Sequence, residues 1–182
     1  LAERALFQAS KALELVDEFP QQVSLITSKT DLSEFIIQRQ VNPQLLGMLL
    51  GTEGSHALDG DLRNIQRLFD SGFRMMSLQH FFDNKLGGSL HGESGEGLTA
   101  FGREAVQQMQ SLGIMLDVSH SSEQVVQDVL AISRQPLLVS HTGFYGHCPS
   151  PRNISDDLMQ QIAAKGGLIA VGYWDGAICS PN

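Results

Sequence analysis

Two short apolar runs in residues 114–143 each end in the same pair of chemically capable residues. The first closes on Asp117-Val118-Ser119-His120 and the second on Ser140-His141, with an amphipathic helical pattern between them. Runs this short, bounded by turn residues, read as buried parallel strands. Parallel neighbours put both Ser-His pairs side by side at their C-terminal ends, the edge where α/β sheets and β/α barrels build their sites. Imidazoles on adjacent strand ends can share one metal ion. The bland alternative is two unrelated histidines at loop starts, each satisfying something local.

Two further apolar runs end in ionisable residues. Residues 45–52 lead into Glu53, and residues 73–78 lead through Gln79 into His80. A carboxylate with two imidazoles suits a hydrolytic zinc site whose open position holds water, its pKa lowered to about 7. Glu53 could instead receive backbone N–H groups beside Gly54, and His80 could be a wall residue. His56 and His91 are expected to be outer or exposed.

The elements that must position these residues follow from periodicity and punctuation. Residues 3–19 read as a helix with Leu6, Ala9, Leu13 and Val16 on one face, ended by Pro20. A strand over 23–27 precedes a helix capped by Asp31 and running to Gln40, with Glu34 completing a capping box. After the strand 45–52 come a helix over 61–71, stopped by Gly72, and the strand 73–78. A glycine-rich loop over 81–97 carries His91 and Glu93, and a helix over 99–112 is closed by Gly113. Beyond His141 lies a loop with His147, Cys148, Arg152 and Asn153, then a helix capped by Ser155 and a strand over 168–173. This β-α alternation has about six strands and no linker, so residues 1–182 are expected to form one domain. Six parallel strands fit a doubly wound open sheet or an incomplete barrel, since a closed one needs eight.

Composition narrows the partners. A formal charge of −8 leaves no basic stripe to neutralise phosphates, so no nucleic-acid partner is expected. No apolar run reaches membrane-spanning length, and no secretory signal pattern opens the chain. The two cysteines, Cys148 and Cys179, make neither a zinc ribbon nor a disulfide-dense scaffold.

Five motifs occurring in order resemble the membrane (renal-type) dipeptidase family of zinc peptidases. They are Gly51-Thr52-Glu53-Gly54-Ser55-His56, Leu78-Gln79-His80, Leu116-Asp117-Val118-Ser119-His120-Ser121, Val139-Ser140-His141-Thr142 and Pro151-Arg152-Asn153. The resemblance implies a partial (β/α)8 TIM-type barrel of the metal-dependent hydrolase kind, with metal-activated hydroxide attacking the carbonyl of a dipeptide. It implies Glu53 as the carboxylate bridging two Zn2+ ions, with His120 and His141 completing one of the two sites. By the same resemblance His80 binds the substrate carbonyl and its developing oxyanion, and Arg152 pairs with the C-terminal carboxylate. It also implies a disulfide between Cys148 and Cys179, which favours a periplasmic or other extracytoplasmic location over the cytoplasm. A homodimer is left open.

The departures from the family shape the expectation. Its first-strand His-x-Asp pair, which holds the other zinc, is absent from these residues, as is its Asp in a Gly/Ser-Asp-Phe-Asp-Gly segment. The chain therefore reads as a piece of a longer dipeptidase, holding one Zn2+ or none and hydrolysing little by itself. Another metal-dependent hydrolase of the same barrel class is the alternative among enzymes. A non-catalytic barrel relative acting as a binding or scaffold protein is the alternative outside them.

Overall fold

A computed structural model of the chain describes residues 1–180. Its elements run α1 (Ala2–Glu18), β1 (Val23–Leu25), α2 (Lys29–Val41), β2 (Leu46–Met48), β3 (Leu50–Thr52) and α3 (Arg63–Asp70). They continue through β4 (Phe73–Ser77), α4 (Ala100–Ser111), β5 (Met115–Asp117), α5 (Glu123–Ile132) and β6 (Leu138–Thr142). The last three are α6 (Asp156–Ala164), β7 (Leu168–Val171) and the short α7 (Asp175–Ile178). No described helix is long and apolar enough to cross a membrane.

Strand order decides between the two architectures the sequence leaves open. The main sheet is β3-β4-β5-β6-β7, every neighbouring pair parallel and every strand beside its predecessor in the chain. A doubly wound sheet reverses its order at a switch point. Here the order never reverses, so the sheet is part of a β/α-barrel wall. One face is sealed by helices: Ile65 and Leu68, Val106 and Met109, Val125 and Val129, and Leu158 and Ile162 pack with Met76, Leu116 and Val139. Burial of these aliphatic groups is the main term holding the sheet.

The run over 45–52, expected to be one strand, is divided at Leu49. Its first half pairs with β1 (Val23↔Leu46, Leu25↔Met48), and its second half pairs with β4 through a register shift at Leu50/Gly51. Two glycines allow this change of partner. A Cβ on Gly47 would meet Ile26 and Phe35 at 2.8 Å, and one on Gly51 would meet the Met75 methyl at 2.6 Å. Side chains there would push the neighbouring strands apart. Counted through the break, the expected six parallel strands follow one another in chain order.

The cap of α2 also differs from expectation. Ser28, three residues earlier than Asp31, accepts the Asp31 N–H on its Oγ at 3.1 Å. Asp31 reaches back to accept the Thr27 N–H at 2.8 Å, the role expected of Glu34. Serine wins because its short hydroxyl reaches the third N–H of the first turn, whose proton then needs no water.

Cys148 and Cys179 are joined by a disulfide, with 5.4 Å between their Cα atoms and a sequence separation of 31. The bridge fastens the loop after β6 to the C-terminal end of α7. For a loop of this length the chain-entropy model gives roughly 3–4 kcal/mol. Denaturant unfolding with and without reductant should show a loss approaching that size. Coincident unfolding curves, or two free thiols in the denatured, unreduced protein, would contradict the bridge.

Candidate metal centre

The polar residues at the strand ends gather where the sheet geometry puts them. Glu53 follows β3, His80 follows β4, His120 follows β5, and His141 is the penultimate residue of β6. Gly54, at φ +85°, bends the chain sharply after Glu53, and a Cβ there would press on the His56 ring at 2.6 Å. The two strand ends are tied together beneath the site. The Gly54 N–H donates to Ser77 Oγ at 3.3 Å, and the Ser55 hydroxyl donates to the Ser77 carbonyl at 2.8 Å.

Three potential ligand atoms converge. Glu53 Oε1 lies 3.2 Å from His120 Nε2 and 3.2 Å from His141 Nε2, and the two imidazole nitrogens are 2.9 Å apart. Zinc–nitrogen bonds of about 2.0–2.1 Å in a tetrahedral site put neighbouring ligand atoms about 3.3 Å apart. The observed separations sit close to that figure without rearrangement. Among the described residues this is a group whose atoms could hold a metal ion. Two further observations fit such an ion. His120 adopts φ +65°, a left-handed conformation that a non-glycine residue keeps only where its surroundings impose it. Burial, then the nearby Arg152 charge, hold the His120 pKa down to about 3, and the same two causes lower His141. Both rings are therefore neutral at ordinary pH, the form that offers a lone pair to a metal.

The remaining expected residues frame this centre. His80 Nε2 is 3.6 Å from Glu53 Oε1, at the open side of the cluster. Arg152 brings its guanidinium nitrogen to 3.4 Å from His120 Nε2 and donates to the His141 carbonyl at 3.3 Å. Its loop is fixed by Asn153, whose side-chain amide donates to the Cys148 and Ala177 carbonyls at 2.8 and 3.0 Å.

Sequence reasoning missed two members of the cleft, Trp174 and Phe81, and set a third, His91, at its margin. Trp174 stands 5.2 Å from the Arg152 guanidinium and 6.0 Å from the His141 ring, forming one wall. The rule that picked out the other strand ends passes it over, because an indole is not ionisable and Gly172 and Tyr173 separate it from β7. Phe81 and His91 form the opposite wall, with ring centroids 5.5 and 5.4 Å from His120. His91, expected to be outer or exposed, is exposed yet lines the cleft. The loop carrying it, expected to be irregular, is braced by the Asp83 carboxylate, which accepts the N–H groups of Ser89, Glu93 and Ser94 at 2.7–3.1 Å. His56 is exposed and belongs to neither wall.

Comparison with known proteins adds an independent line. The family model described as membrane dipeptidase (peptidase family M19) matches residues 2–182. Dipeptidase 3 of Mus musculus is 30% identical over 193 aligned residues, which take in 97% of this chain and 35% of the mouse protein. An uncharacterized dipeptidase of Schizosaccharomyces pombe is 30% identical over 141 residues, 75% of this chain and 34% of that protein. The chain thus spans about a third of the length of these relatives. Among solved structures, an amidohydrolase from Pseudomonas aeruginosa superposes with a TM-score of 0.79 at 26% identity, over 90% of this chain and 48% of that one.

The geometry sets a stoichiometry. Three ligand atoms plus water make a retaining site for a transition metal, whereas a single further carboxylate contact does not. Elemental analysis after dialysis should find at most one tightly held zinc per chain, lost on Glu53→Gln or His141→Ala. Two retained metals per chain would refute this.

Proposed function

The chain belongs to the membrane dipeptidase family, peptidase family M19, and from that premise we propose that its cleft is the zinc-holding part of an enzyme that hydrolyses dipeptides. The observation that carries this reading is the distance between the clamp and the metal ligands. A carboxylate gripped by Arg152 would lie within one residue of any carbonyl presented beside His120, because only 3.4 Å separates guanidinium and imidazole.

In this reading Glu53, His120 and His141 hold the ion. A zinc ion bound there would supply Lewis acidity, polarising a carbonyl and lowering the pKa of water. The protein side of the chemistry then divides by position. His80, on the open side of Glu53, would donate a hydrogen bond to the carbonyl oxygen as negative charge develops on it. Arg152 would hold the substrate's terminal carboxylate with its paired N–H groups, which a lysine cannot reproduce. Trp174 and Phe81 would exclude water from the sides of the cleft, strengthening both interactions. The Cys148–Cys179 bridge supports an oxidising, extracytoplasmic setting.

The clamp is testable in the full-length enzyme. Arg152→Lys should raise KM for free dipeptides about tenfold or more, since a lost fork costs on the order of 1.4 kcal/mol. C-terminally amidated dipeptides, which present no carboxylate, should be much less affected. Equal effects on the two substrate sets would show that Arg152 does not grip the terminus.

A further inference from the structure

Among the described residues, Asp117 is the one carboxylate buried at the sheet's C-terminal edge, 1% exposed, and the chemistry above leaves it without a role. It ends β5, one strand away from His141. Its Oδ1 accepts the N–H groups of Ser119 and Ser140, each at 3.0 Å. Its Oδ2 takes a hydrogen bond from the Ser140 hydroxyl at 2.6 Å. Ser140 Oγ in turn lies 2.8 Å from His141 Nδ1 and 3.2 Å from Ser119 Oγ.

A count of protons allows one arrangement. A hydroxyl has a single proton and two lone pairs, and a carboxylate only accepts. Ser140 spends its proton on Asp117, so it must accept from both Ser119 Oγ and His141 Nδ1. Ser119 Oγ is free to donate because it accepts the His141 backbone N–H at 3.2 Å. His141 therefore carries its proton on Nδ1 and keeps a bare lone pair on Nε2, the atom 3.2 Å from Glu53 Oε1. We propose that Asp117 and Ser140 are positioning residues that fix the tautomer and ring orientation of His141, so that Nε2 faces the metal position before any ion arrives. The inference rests on the metal reading above and adds to it the device that prepares one ligand.

Asp117→Asn gives a sharp test because it changes hydrogen-bonding capacity with little change of shape. To keep accepting from Ser119 N and Ser140 N, the new amide must point its NH2 at Ser140 Oγ. The Ser140 proton then turns to His141 Nδ1, its nearer neighbour at 2.8 Å against 3.2 Å for Ser119 Oγ, moving the ring proton to Nε2, where it blocks the metal. Ring tautomers of the 15N-labelled apo protein are read by long-range 1H–15N NMR, and zinc affinity by competition with a chromophoric chelator. Wild-type His141 should be protonated on Nδ1. In Asp117→Asn the proton should move to Nε2, with zinc affinity falling roughly 10- to 100-fold, the usual effect of losing a partner behind a ligating imidazole.

Ser140→Ala is the second variant, used if Asp117→Asn does not fold. It keeps the backbone bonds to Asp117 and should give mixed tautomers and weakened zinc binding. An unchanged tautomer or an unchanged zinc affinity in whichever variant folds overturns the proposal. A wild-type protein that takes up no zinc overturns the metal reading instead, and the relay is then judged on the apo tautomers alone.

Discussion

Curvature of the parallel sheet is the constraint on which the centre depends. Glu53 follows β3 and His141 lies near the end of β6, so three strand spacings separate them. In a flat sheet that is about 14 Å. Their ligand atoms are nevertheless 3.2 Å apart, with His120 Nε2 within the same distance of the carboxylate. Only a sheet curled into a barrel wall lets side chains from non-adjacent strands meet over its edge. The helix-covered aliphatic core that enforces this curl is thus as much a part of the site as the ligands are.

Convergence has an electrostatic cost. In the tautomers that would bind a metal, the His120 and His141 Nε2 atoms, 2.9 Å apart beside the Glu53 carboxylate, would turn lone pairs to one another. Several local features offset the repulsion. The Arg152 guanidinium stands over the cluster, the strand ends are stitched through Ser77, and His120 is held at φ +65° by the turn that buries it. A bound cation would remove the repulsion altogether, so metal binding and fold stability are expected to be linked.

Much of this was legible in the sequence, for identifiable reasons. An apolar run that stops on an ionisable residue places that residue at a strand end, and this held for Glu53, His80, His120 and His141. Parallel pairing then brought them together without further information. The division of residues 45–52 was hidden because an apolar run does not state which neighbour it pairs with; only Gly47 and Gly51 hinted at the change. The order in the glycine-rich loop was hidden because its organiser is one aspartate, Asp83, collecting backbone N–H groups, and backbone partners leave no pattern in side-chain types. Ser140 looked like half of a repeated Ser-His pair, whereas its use is to connect a ligand to a carboxylate on the neighbouring strand.

The converging ligand atoms and Arg152 stand on different kinds of backbone in this cleft. The three converging ligand atoms of the candidate metal centre come from strand ends, whose positions the sheet fixes. Arg152 comes from the loop between β6 and α6, and loops ordinarily hold a side chain less accurately than strands do. Here the loop is pinned through Asn153, through the Cys148–Cys179 bridge, and through the Ile154 N–H bonded to Thr142 Oγ1 at 3.2 Å. These ties run to α7 and β6 and bypass the three converging ligand atoms. The position of Arg152 can therefore be altered in this loop while the strands keep Glu53, His120 and His141 where they are.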